Sequence, residues 1–217
     1  FDIDGYLGDF AGLLGELELD RWHVYEQREL VGPGWKVAWD GYLEGYHQQA
    51  LHPQTVGLTT VPNLMAVDTF GPHQRIVFAR KSIAELDHVP ESEWPWGRDI
   101  RLIHSAFPNL SVSGILGDHC LVSQLYPGPT VDRSLTVQTV LCATPPETPE
   151  QLAAAEAFSA MVLQAVRDED YWVGFQIQDS LASGANHEFV FGRNELTLQH
   201  YHRAVARYAG EAVGASG

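Results

Sequence analysis

The chain has 217 residues, 45% of them hydrophobic and 19% charged, which is enough apolar material for one substantial core and too little length for two comfortable domains. Lys and Arg number 13 against 28 Asp and Glu, a formal charge of −15 whose field repels nucleic acid and anionic membrane. No apolar run reaches the roughly 18 residues a transmembrane helix needs. Neither Cys120 nor Cys142 stands in a CxxC or CxH spacing, so neither a disulfide framework nor a cysteine metal cluster is expected, and a reducing cytoplasm is the simplest setting.

The sequence opens at Phe1 and its first methionine is Met65. Residues 1–20 are acidic where a signal peptide would carry a basic region, so the chain is expected to be the C-terminal part of a longer polypeptide. Residues 5–19 hold Tyr6, Leu7, Phe10, Leu13, Leu14 and Leu17 at helical spacing, interrupted by glycines. Residues 21–31 alternate as a half-buried strand, and residues 35–51 return to helical period through Trp39, Tyr42, Leu43 and Tyr46. Six β-type runs follow at 64–70, 75–79, 101–107, 110–116, 119–126 and 135–142, with a Trp94-Pro95-Trp96-Gly97 loop between the second and third. Their short connections predict an antiparallel meander. Thr148, Pro149 and Gln151 form a capping box that opens a helix extending to about Ser180, and a last helix covers about 194–208 before a small-residue tail. The order predicts an α+β class, helices against one face of an antiparallel sheet, in one domain over residues 1–217.

Of ten histidines, His23, His73, His88 and His104 stand alone beside strands or loops and read as surface or structural groups. His200 and His202 point to opposite sides of the last helix. His47 and His52 lie in a segment dense in acids and aromatics; an i, i+5 pair diverges by about 140° on a regular helix. Pro53 removes the difficulty, because the residue before a proline leaves the α region and His52 then swings off the helical path. Two imidazoles holding a metal want a carboxylate. The acidic stretch Arg167-Asp168-Glu169-Asp170, followed by an aromatic run, is the distant candidate, and a solvated charge run is its alternative reading. A site of two histidines and one carboxylate leaves positions open for dioxygen, as in non-haem Fe(II) oxygenases.

The two segments together resemble the catalytic domain of Rieske non-haem iron oxygenases, the large subunits of aromatic-ring-hydroxylating dioxygenases and related monooxygenases. The residues carrying the resemblance are Gly34-Trp35-Lys36, Asp40-Gly41, Glu44-Gly45-Tyr46-His47 and His52-Pro53, with Asp170 eight residues before Gln178, and Phe191-Gly192-Arg193-Asn194-Glu195 leading to the closing helix. Gly34 and Gly41 depart from it, each standing where many members carry Asn. The resemblance implies His47, His52 and Asp170 as ligands of a mononuclear Fe(II). It implies Glu44, with Asp40 beside it, as the acid that bridges an iron ligand to a histidine of the neighbouring subunit's [2Fe-2S] Rieske cluster. It further implies a helix-grip, START-like fold, in which an antiparallel sheet wraps a long C-terminal helix around an apolar cavity. Tyr42, Leu51, Val56, Phe70, Phe175 and Ile177 are the expected pocket residues, chosen for apolar character near the ligand segments.

Cys-x-His and Cys-x-x-His, which a Rieske cluster requires, are both missing. Electrons from NAD(P)H, through a reductase or ferredoxin, are therefore expected to arrive from an N-terminal Rieske domain or another chain, in a full-length homotrimer. The expected activity is mono- or dioxygenation of an aromatic or other apolar organic molecule with O2, in the manner of aromatic-hydrocarbon catabolism. Two alternatives use the same residues. One is a non-catalytic helix-grip module that carries a hydrophobic ligand, and the other is a zinc hydrolase.

Overall fold

The computed structural model describes residues 1–95, 97–185 and 188–210. Trp96 of the predicted 94–97 loop, and the tail after Gly210, lie outside the described residues. Seven antiparallel strands form one sheet: His23–Pro33 (β1), Thr60–Phe70 (β2), His73–Arg80 (β3), Ile100–Ala106 (β4), Leu110–Leu116 (β5), His119–Pro127 (β6) and Arg133–Cys142 (β7). Strands β2 to β7 are a meander, as the spacing of the apolar runs predicts. The first strand closes on the last, in the order β1-β7-β6-β5-β4-β3-β2. The register runs from His23 opposite Cys142 to Pro33 opposite Arg133.

The helices are Ile3–Leu7 (α1), Phe10–Gly15 (α2), Trp35–Leu43 (α3), His47–Leu51 (α4), Pro149–Leu163 (α5), Tyr171–Ala182 (α6) and Leu196–Tyr208 (α7). The single helix expected over 5–19 is two short ones, parted where Gly8 takes φ +53°, a left-handed conformation that glycine adopts without strain. The helix expected over 35–51 is also two. The capping box at Thr148 is present, with Gln151 N donating to Thr148 Oγ1 at 3.2 Å and Thr148 N donating to Gln151 Oε1 at 2.9 Å. From there one continuous helical rod reaches Ala182, and its middle turn, Gln164–Asp170, is π-helical. None of these helices is long and apolar enough to cross a membrane among the described residues.

The pleat sorts side chains between two faces. On one face Ile76, Phe78, Ile103 and Leu125 pack with Trp39 and Leu43 of α3, Val166 and Tyr171 of the long rod, and Leu198 and Tyr201 of α7. Leu121 and Val140 meet Phe158 and Val162 of α5 on the same side. The opposite face carries Val112, Cys120 and Leu141 and is covered by Leu14, Leu17 and Trp22 of the N-terminal segment. The sheet thus grips the long rod on one side, the helix-grip arrangement of an α+β protein. Close crossing is set at Gly174, where a Cβ would come within 2.7 Å of Pro33 at the end of β1.

His73 is fully buried and satisfied, its Nε2 on the Tyr6 carbonyl and its Nδ1 accepting from Phe107 N, each at 3.0 Å. His104 is buried with Nδ1 unpartnered, and burial with the nearby Arg75 charge depresses it to about 4. Its folded pKa thus lies below the unfolded value of about 6.5, so the unfolded chain binds more protons between these limits. Stability is full above pH 6.5 and falls as pH drops towards 4, by up to about 3 kcal/mol at 1.36 kcal/mol per unit. Denaturant melts of the wild type and His104→Gln at pH 7 and pH 5 check this. The two chains should show different pH slopes, and parallel slopes would refute the assignment.

Candidate metal centre

The ligand segment begins where β1 turns into α3. Gln178 of α6 accepts from Gly34 N at 3.1 Å and holds the first turn of α3; a Cβ at residue 34 would crowd its Oε1 and meet the backbone carbonyl of Val131 at 2.5 Å. This contact gives a physical reason for glycine there. At Glu44 the chain leaves the helix for extended backbone (φ −127°, ψ 165°). Glu44 Oε2 then accepts from Tyr46 N at 2.5 Å and from His47 N at 3.3 Å, starting α4, while Oε1 takes His47 Nδ1. His52 ends α4 with non-helical dihedrals (φ −110°, ψ 44°) just before Pro53. Its carbonyl accepts from Thr55 N and Gly57 N at 3.2 and 3.0 Å, which fixes the turn.

The third component comes from the π-helical turn. Asp170 Oδ1 lies 2.9 Å from His52 Nε2 and 3.5 Å from His47 Nε2, and the ligand atoms of His47, His52 and Asp170 all fall within 4.8 Å of one another. Ligands about 2.1 Å from one ion and at right angles stand about 3 Å apart, so the donor set fits a divalent cation bound on one face. Each imidazole spends Nδ1 on a carboxylate and turns Nε2 towards the shared point. For His47 that carboxylate is Glu44. For His52 it is Glu169 at 2.5 Å, itself held by Thr55 Oγ1 at 2.8 Å and Gln164 Nε2 at 3.0 Å. Adjacent residues on an α-helix diverge by about 100°; the wider π turn lets Glu169 and Asp170 take the two nitrogens of the same ring.

Burial raises the Glu44 carboxyl, but its bonds to His47 outweigh that and hold it below the usual range; Glu169 is held down likewise by His52, Thr55 and Gln164. Burial works against charge on His52, yet Asp170 and Glu169 overcome it and lift the ring above its ordinary value. A cation bound at Nε2 would take the place of a proton there. Glu169→Gln should weaken Fe(II) or Co(II) affinity by about 10–100-fold through loss of this orientation. A chelator competition titration reads the change, and unaltered affinity would contradict it.

His47 and Asp170 stand between two cavities of about 270 Å³ each, and His52 lines the first of them. Tyr42 and Val56 line the first, with Ile103, Leu121, Phe158 and Met161 as apolar wall and the half-buried Arg101, whose Nη1 is shielded from solvent, as its cation. Leu51 and Ile177 line the second, on the other side of His47 and Asp170, with Asp40 and Glu44. Two expected pocket residues need correction, since neither cavity includes them. Phe70 packs on Phe10 at 5.7 Å between centroids, and Phe175 packs against the core with the Arg133 guanidinium 5.3 Å above its ring. Proximity in sequence to the ligand segments fails for both because strand and helix alternation turns them elsewhere. Asp40 takes His202 Nε2 at 2.7 Å, tying α3 to α7, and burial raises its carboxyl despite that bond. Arg101, Thr55 and Gln164 are additions that the sequence reading did not single out, and Glu169, named there only as part of the acidic stretch, holds His52 Nδ1.

Comparison with known proteins gives a consistent placement. The quaternary ammonium Rieske monooxygenase CntA, in complex with an inhibitor, aligns with 96% of this chain and 56% of its own, at 16% identity and a TM-score of 0.76. Dicamba monooxygenase bound to dicamba aligns over 86% of this chain and 58% of its own, at 10% identity and a TM-score of 0.60. The NdmA QL mutant of Pseudomonas putida CBB5 with theobromine follows at 14% identity, 85% and 49% coverage, and a TM-score of 0.52. At these identities the likeness is one of fold, and the chain spans just over half the length of the first of them. No curated protein matches the sequence. Residues 19–211 match the family described as ring hydroxylating alpha subunit (catalytic domain), and the chain belongs to that family.

Proposed function

We propose that residues 1–217 are the iron-binding catalytic domain of a Rieske-type non-haem oxygenase that hydroxylates an apolar or aromatic organic substrate. The observation that carries this reading is the convergence of His47 Nε2, His52 Nε2 and Asp170 Oδ1, each imidazole oriented by its own carboxylate. When bound there, mononuclear Fe(II) supplies dioxygen activation at its open positions. His47, His52 and Asp170 hold that centre against one face. Glu44 and Glu169 fix which ring nitrogen is free for it, and the apolar wall of the first cavity keeps water from the reacting carbon.

Electrons originate in NAD(P)H and pass through a reductase or ferredoxin and a [2Fe-2S] Rieske cluster outside this chain, in a homotrimer of the full-length protein. Glu44 is the entry point. It bonds His47 and lies beside Tyr46, which is half exposed, so an incoming imidazole can reach the acid's side of the metal centre. Buried, unpaired Cys120 and Cys142 suit the reducing cytoplasm. A hydrophobic-ligand carrier of the same shape has no use for three converging ligand atoms and their supporting acids.

Anaerobic reconstitution of the full chain tests the proposal. One Fe(II) per chain and a paramagnetic nitric oxide adduct are expected. No bound iron would favour the carrier, and a zinc-only site that gives no adduct would favour a hydrolase.

A further inference from the structure

We propose that the cavity bounded by Tyr42, Val56 and the three metal ligands takes a substrate bearing a carboxylate, and that Arg101 is the residue that grips it. The proposal rests on the reading of this cavity as the substrate site.

Arg101 stands in β4 on the face that carries Ile103, across from Phe78 of β3, so its side chain enters the cavity side of the sheet. Its Nη1 is shut off from solvent and has no hydrogen-bond partner. Burial and the neighbouring Arg80 charge both oppose its cationic form and push it down to about 10, with only Asp170 acting in its favour. That one carboxylate is already committed, being 2.9 Å from His52 Nε2. A bound divalent metal would take up its charge altogether. Arg80 directs Nε and Nη2 at the carbonyls of Ile100 and Ile115, which satisfies donors without neutralising charge. The loaded cavity is therefore cationic inside a protein of net charge −15.

A guanidinium in an apolar enclosure is retained only when something pairs with it. Its planar fork matches a carboxylate, two parallel N–H···O bonds being the geometry it favours. Around it the wall is Ile103, Leu121, Phe158 and Met161, which calls for an apolar body on the same molecule. The volume of about 270 Å³ lies just below the roughly 300–1,000 Å³ of drug-sized pockets, so the ligand is a compact organic acid.

The test uses the metal-free full chain, where no carboxylate can bind through a metal. Benzoate and benzamide, cinnamate and cinnamamide, and hexanoate and hexanamide are titrated calorimetrically into wild type, Arg101→Met, Arg101→Lys and Arg80→Met. At least one acid should bind wild type about tenfold or more tightly than its amide. Arg101→Met should erase that preference while leaving amide affinity unchanged, and Arg101→Lys should restore part of it. If Arg101→Met does not fold by circular dichroism, Arg101→Gln takes its place. The proposal is overturned if no acid outbinds its amide in wild type, if the preference survives loss of Arg101, or if Arg80→Met alone abolishes it. Iron content is measured separately, so failure of the metal reading and failure of the carboxylate reading are distinct results.

Discussion

Asp170→Ala should leave the chain unable to hold stoichiometric Fe(II). Asp170 is the one carboxylate among the three converging residues, and its Oδ1 lies 3.5 Å from His47 Nε2 and 2.9 Å from His52 Nε2. Two neutral rings without it present a softer, uncharged pair to a cation that carries two positive charges. His47→Ala should act in the same direction and also free Glu44, whose carboxyl then loses the contact that holds it low. The measurement is anaerobic metal titration with thermal melts. Wild type should gain melting temperature as Fe(II) rises, by the linkage RT ln(1 + [L]/Kd), and Asp170→Ala should gain none even at about 100 times the saturating concentration. Stoichiometric iron in either variant would remove the substituted residue from the ligand set.

Trp39→Ala should be the most destabilising of the conservative core truncations, at about 3–5 kcal/mol. Trp39 is fully buried, stacks on Tyr42 at 5.7 Å and 17°, and sits 5.7 Å from Tyr201, so it joins α3 to α7 at the centre of the main cluster. Its indole Nε1 has no partner. That sets a contrast, because Trp39→Phe removes an unsatisfied donor along with part of the ring and should cost well under half as much. Urea melts of the two variants decide the matter. Equal losses would mean that the indole N–H, and not the ring, carries the stabilisation.

How far the fold can be read from the sequence depends on the range of the forces involved. The strands announce themselves by alternation between turn residues, and the capping box at Thr148 is local chemistry with a local signal. The break at Glu44 is invisible to periodicity, since residues 35–51 keep an unbroken apolar stripe. What ends α3 is a carboxylate that turns back to accept the N–H groups of Tyr46 and His47. His52 is legible through Pro53, whereas its partner Glu169 is 117 residues away and becomes recognisable only when the π turn aims it. Phe70 and Phe175 show the limit of reasoning by apolar character, which says that a side chain is buried without saying against what. Arg101 carries a signal that a reading for motifs passes over, a charge at an inward position of the run Ile100-Arg101-Leu102-Ile103.

The pairing of the first strand with the last sets the order in which this protein becomes competent. Strand β1 launches the segment that ends in both histidines, β7 launches the rod that holds the acid, and side chains 110 residues apart, Arg28 and Gln138, meet across that seam. Contacts of such separation cost more loop-closure entropy than the local hairpins of the meander. A nascent chain still on the ribosome therefore carries two histidines and no completed cage until the long rod has emerged. Loading of a divalent metal is therefore expected only once the rod is in place, and a truncation before Asp170 should be read out first as an inability to load it.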